Sequence, residues 1–127
     1  MKFFLFLFLI FFSCGSDVPE FDENRAFRHL LTQCDFGPRN PGSEGYYACL
    51  DFMVKEFEKY ADEVILQDFT YVEKRSRRKY DLTNVIARFN PDSTFQTMIS
   101  CHWDTRPWSD MEENREDRNQ PIIGAND

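Results

Sequence analysis

A chain of 127 residues with 22 acidic and 15 basic side chains carries a formal charge of −7, and that length holds about one domain. An acidic balance of this size argues against nucleic acid as a partner, because a phosphate backbone is bound through clustered positive charge. The one basic cluster, Lys74-Arg75-Ser76-Arg77-Arg78-Lys79, lies between two strand-like runs and reads as a solvated turn, with a contact for acidic peptides or phosphates as the alternative.

At the front, Met1-Lys2 precedes an unbroken apolar run from Phe3 to Phe12, followed by Ser13-Cys14-Gly15-Ser16. The run is shorter than the roughly 20 residues that a membrane-spanning helix needs. A basic start, a short apolar stretch and small residues after it describe an export signal. The Phe12-Ser13-Cys14-Gly15 junction resembles a bacterial lipoprotein cleavage site, although Phe11 is bulkier than the leucine usual in that motif. Residues 1–13 are therefore expected to be a signal peptide, Cys14 a lipidated anchor, 14–20 a polar tether and 21–127 the domain itself. The corresponding location is the bacterial cell envelope, with attachment to a membrane through the lipid. Lipidation of Cys14 leaves three of the four cysteines: Cys34 and Cys49 are open to pairing, and Cys101 reads as a small buried residue.

From Asp22, the residues Ala26, Phe27, Leu30, Leu31 and Cys34 recur at helical spacing until Gly37-Pro38, which predicts an amphipathic helix and its stop. Ser43 can cap a second helix whose apolar stripe is Tyr46, Leu50, Met53, Val54, Phe57 and Ala61. His29 falls inside the first helix as a surface or core residue. The runs Val64 to Val72 and Leu82 to Phe89 predict an antiparallel hairpin, and Asn90-Pro91-Asp92-Ser93 a turn. Phe95 to Cys101 is apolar on both faces, as in a strand covered by helices. From Ser109 to Gln120 the chain is a charged loop. The expectation is an α/β layer of two helices and three strands, whose open edges make the chain look short for its own architecture.

Beyond that third predicted strand come His102-Trp103-Asp104-Thr105-Arg106-Pro107, and later Gly124-Ala125-Asn126-Asp127. Functional groups in open α/β sheets gather beyond the carboxyl ends of strands. Imidazole is a good zinc ligand, and a nearby carboxylate can accept its other N–H and fix the tautomer. A lone His-x-Asp is as compatible with a structural histidine. The small residues before Asp127 let the backbone approach a confined site, or form a surface turn.

Together with Phe36-Gly37-Pro38-Arg39-Asn40-Pro41-Gly42-Ser43 and Leu82-Thr83-Asn84-Val85-Ile86-Ala87, these motifs resemble the zinc aminopeptidase and glutaminyl cyclase superfamily. The string from His102 to Trp108 and that from Pro121 to Asp127 look most like bacterial glutaminyl-peptide cyclotransferases. The resemblance implies the N-terminal part of a zinc-exopeptidase-type three-layer α/β fold with a mixed, mostly parallel central sheet. It also implies zinc, one ion in a cyclase and two in an aminopeptidase, and peptide or protein N-termini as substrates. The implied reaction converts N-terminal glutamine to pyroglutamate with release of ammonia. Two other readings remain open: an aminopeptidase of the same fold, and a short non-catalytic lipoprotein that binds rather than reacts.

By the same resemblance Asp127 is a zinc ligand, and His102 corresponds to a metal ligand of the two-zinc aminopeptidases that need not bind metal in the cyclases. Asp104 is the catalytic-site carboxylate that orients His102. Trp103 and Trp108 either line the substrate pocket or pack beneath the loop, and Arg106 pairs near the site or with the acidic loop. A catalytic zinc site takes three or four ligands, so the polypeptide is expected to be an incomplete zinc domain, inactive as given.

Overall fold

In the computed structural model, which describes residues 18–74 and 77–124, each helix begins and ends on a local signal. Helix α1 spans Glu23–Asp35, and the side chain of its cap Asp22 accepts the Arg25 amide at 2.8 Å. Gly37 takes φ +75 just past the helix end and donates its N–H to the Cys34 carbonyl at 2.9 Å, a left-handed stop for which glycine needs no steric concession. Helix α2 spans Glu44–Phe57 under the cap of Ser43. The Ser43 hydroxyl accepts the Tyr46 amide at 3.1 Å and donates to the Pro38 carbonyl at 2.8 Å, so one side chain ties the cap to the incoming turn. Phe52 joins the helices, packing on His29 and Phe36 with ring centroids 5.8 and 5.7 Å apart. His29 is thus a half-buried packing residue.

Strands β1 (Glu63–Val72) and β2 (Lys79–Arg88) form an antiparallel hairpin with Val64 opposite Ala87 and Tyr71 opposite Tyr80. Polar pairs reinforce that register: Thr70 donates to Asp81 at 2.8 Å, Thr83 to Asp68 at 2.6 Å and Asn84 to Gln67 at 2.9 Å. Helix α2 meets β2 through Tyr46, whose hydroxyl accepts the Thr83 amide at 2.9 Å. The Asn90 turn forms as expected, with the Ser93 amide on the Asn90 carbonyl at 3.0 Å.

Two expectations are corrected, the strand at 95–101 and the burial of Cys101, and the pairing left open for Cys34 and Cys49 is decided. Residues 95–101 form no strand, and Phe95, Met98 and Ile99 are 91%, 89% and 92% exposed; strand structure needs a hydrogen-bonding neighbour, and the described sheet ends with β1 and β2. Cys101 is for the same reason exposed rather than buried. Cys34 and Cys49 are both free thiols, Cys34 half-buried and Cys49 buried, so no bridge joins the helices. The sheet described is an antiparallel pair, and the parallel strands implied by the resemblance are not among it. The signal-like run, Cys14 and Asp127 lie outside the described residues, among which no helix is long and apolar enough to cross a membrane.

The tightest packing is where α2 enters. A Cβ on Gly45 would lie 2.5 Å from both the Phe36 and Pro38 carbonyl oxygens. Gly45→Ala is therefore expected to lower stability by about 2 kcal/mol despite the better helix propensity of alanine, read as a shift in the urea midpoint; an unchanged midpoint would refute this close approach. Thiol labelling should follow exposure. Burial pushes the Cys49 thiol up in pKa, opposed by the Arg39 charge, and only the thiolate attacks. Mass-spectrometric mapping should find Cys101 alkylated first and Cys49 only on unfolding, and early labelling of Cys49 would contradict the packing.

Candidate functional site

Arg39 is 5% exposed, and it enters from the turn between the helices. Its Nε donates to the Trp103 carbonyl at 2.9 Å and its Nη1 to the carbonyls of Gln33 and Ile123, each at 2.9 Å. Its Nη2 donates to the Gly124 carbonyl at 2.8 Å. One planar guanidinium thereby joins the end of α1, the His102 loop and the segment leading to Asp127, a task for which arginine's fork of donors is suited. The main chain of Arg39 adds a second clasp: its N–H donates to the Thr105 hydroxyl at 2.8 Å, and its carbonyl accepts the Thr105 amide at 3.3 Å. Thr105 is buried accordingly, at 5% exposure.

On the loop so held, His102 Nδ1 lies 3.0 Å from the main-chain carbonyl of Asp104 and 3.8 Å from its carboxylate Oδ1. A carbonyl oxygen only accepts, so this contact places a proton on Nδ1. The sequence pattern anticipated a carboxylate as the orienting group. In the structure Asp104 supplies its main chain for that purpose, with its charge close by.

The two tryptophans have different surroundings. Trp103 packs on Tyr46 with ring centroids 4.3 Å apart, and its Nε1 donates to the Thr83 carbonyl at 3.4 Å. It anchors the loop to α2 and β2. Trp108 is 45% exposed and lines a cavity of about 400 Å³ together with Asp104, Thr105 and residues of the hairpin. Arg106 pairs with Asp110 at 2.6 Å, within the acidic loop rather than at His102. That loop is closed at its base, where the Ser109 amide and hydroxyl both bond the Gln120 carbonyl at 2.9 and 3.0 Å.

The donor chemistry of the site fits zinc in kind, an imidazole here and a carboxylate at Asp127 in the sequence, but no group of three or more metal-binding side chains occurs among the described residues. The feature missed by sequence reasoning is Arg39. It stands in one of the motifs of the resemblance, yet its partners lie as far as 85 positions away; its one local sign is a charged side chain inside a Gly-Pro and Asn-Pro turn.

No family profile matches the chain. Among solved structures it is similar to the Bacteroides thetaiotaomicron glutaminyl cyclase bound to N-acetylhistamine, at 31% identity and a TM-score of 0.78 over 87% of this chain and 38% of that one. It is similar to the Fimbriiglobus ruber glutaminyl cyclase at 33% identity and a TM-score of 0.76, over 86% of this chain and 38% of the other. A zinc-dependent exopeptidase from Parabacteroides distasonis matches at 29% identity and a TM-score of 0.81, over 85% and 37%. The chain thus spans less than two fifths of the length of each protein it matches.

Arg39→Met keeps the aliphatic bulk and removes every guanidinium donor. Leaving part-buried carbonyls unpaired should cost about 2 kcal/mol, seen in denaturant unfolding, and should speed amide exchange at Thr105 relative to the hairpin. An Arg39→Met chain with unchanged stability and Thr105 exchange would show that the guanidinium does not hold the loop.

Proposed function

Since the chain belongs to the superfamily that unites bacterial glutaminyl cyclases with zinc-dependent exopeptidases, we propose that it forms part of a glutaminyl-peptide cyclotransferase, which closes N-terminal glutamine to pyroglutamate and releases ammonia. The observation that carries this reading is the 31% and 33% identity to two glutaminyl cyclases across nearly all of the described chain. In this reading Asp127 is a zinc ligand, Cys14 holds the protein to a membrane of the cell envelope, and residues 21–127 belong to the catalytic domain.

Zinc supplies Lewis acidity that polarises the side-chain amide carbonyl of the substrate. The chain's own residues prepare the site around it. Arg39 fixes the main chain of Trp103, and the Asp104 carbonyl orients the His102 ring. With a proton on Nδ1, His102 keeps that edge of its ring turned to the carbonyl. The Asp104 carboxylate stands 3.8 Å from the same ring nitrogen. Trp108 offers a ring face to the substrate at the mouth of the site.

The gene product at the full extent of its reading frame is the protein to test, with ammonia release and pyroglutamyl product measured on glutaminyl peptides. Asp127→Ala should remove zinc, read by elemental mass spectrometry, and lower kcat/KM by about a thousandfold or more, as expected when a metal that stabilises transition-state charge is lost. His102→Ala should retain zinc and lose about 10- to 100-fold in rate, the scale for a group supporting a metal site. Hydrolysis of leucyl peptides without action on glutaminyl ones, with metal lost from His102→Ala, would sink the cyclase assignment in favour of the aminopeptidase. A leucine aminopeptidase precursor from Bacteroides thetaiotaomicron, 30% identical over 87% of this chain, keeps that outcome in view.

A further inference from the structure

The cavity beside Asp104 has a composition that the cyclisation of glutamine does not use. Tyr71 and Tyr80, directly opposite each other on the hairpin, form one wall, and Trp108 of the His102 loop stands in its lining with them. Tyr71 is 49% and Trp108 45% exposed, so two aromatic rings keep much of their surface open at the cavity. Its lining also contains the carboxylates of Glu73, Asp104 and Asp110 together with the guanidinium of Arg106, which is paired with Asp110 at 2.6 Å. Aromatic faces attract cations through their quadrupoles, and a surplus of carboxylates raises the local preference for positive charge.

We propose that this cavity is a subsite for a basic side chain, lysine or arginine, on the residue that follows the N-terminal residue of the peptide substrate. The inference rests on the peptide-processing reading above. Asp104 is both a wall of the cavity and the residue whose carbonyl orients His102, so a substrate whose first residue reacts beside His102 has its next side chain within reach of the aromatic walls. Adjacent residues of an extended peptide are about 3.5 Å apart along the chain. The cavity, at about 400 Å³, has room for the long aliphatic stem of either basic side chain, and the rings offer that stem an apolar surface while the charge meets the carboxylates.

The test compares kcat/KM of the full-length protein for glutaminyl tripeptide amides that differ only in the second residue: arginine, lysine, alanine or glutamate. The expected result is a preference for arginine and lysine over glutamate of about tenfold, the scale of one partly desolvated cation–π contact, appearing mainly in KM and weakening as salt is raised. Trp108→Ala and Glu73→Gln should each shrink the ratio, and Trp108→Phe should restore most of it, a rescue that a merely structural role would not give. Equal rates on the basic and acidic peptides, or a ratio untouched by either variant, overturn the subsite while leaving the cyclase assignment standing. Turnover of leucyl but not glutaminyl peptides defeats the cyclase assignment alone, and the same ratio measured on leucyl tripeptides then decides the subsite; activity on neither series defeats both.

Discussion

The buried guanidinium of Arg39 is the constraint on which the arrangement of this chain depends. Its four side-chain hydrogen bonds all end on main-chain carbonyls, drawn from the last turn of α1, from the His102 loop and from the segment before Asp127. A buried cation is costly unless it is hydrogen-bonded. Here oriented peptide dipoles receive the charge, among them the Gln33 carbonyl at the negative end of α1, which has no basic residue of its own in its last turn. A lysine offers a compact point charge in place of the planar fork and cannot match four acceptors in these directions.

Around that anchor the packing is aromatic and thin. Tyr46 and Cys49 are the buried apolar residues among those described, and Tyr46 works in two directions: its ring supports Trp103 and its hydroxyl holds the Thr83 amide. The loop, α2 and β2 therefore share one contact. Elsewhere apolar surface is open, on the Phe27 and Leu31 side of α1 and most of all along Phe95, Met98 and Ile99. A contiguous exposed apolar stretch of that kind is a surface that associates. Its composition is that of a covered strand, and the neighbours it resembles are more than twice as long.

What could be read in advance followed the range of each interaction. Asp22, Ser43 and Gly37 cap and stop the helices through bonds spanning three residues, so the roles of Ser43 and Gly37 were visible in the chain itself. The hairpin was legible too, since its two β-rich runs flank a charged turn and pair with each other. Residues 95–101 were misjudged because strand structure is a property of a pair, and composition cannot supply the partner. The same reasoning failed for Cys101, whose predicted burial required the same missing cover. Arg39 was illegible for the opposite reason: its bonds reach 64 and 85 positions along the chain, and nothing in a turn-rich octapeptide names those partners.

The His102 geometry shows how a loop without regular structure can still be preorganised. Three successive residues each have a main-chain group committed: the Trp103 carbonyl to Arg39, the Asp104 carbonyl to His102, and the Thr105 amide to the Arg39 carbonyl. The imidazole is oriented by a peptide oxygen, an acceptor whose direction is fixed by the main chain. The carboxylate oxygen lies farther from the ring, at 3.8 Å. The burden of positioning this loop thereby falls on Arg39 and Thr105, which hold it through main-chain and side-chain bonds on either side of Asp104.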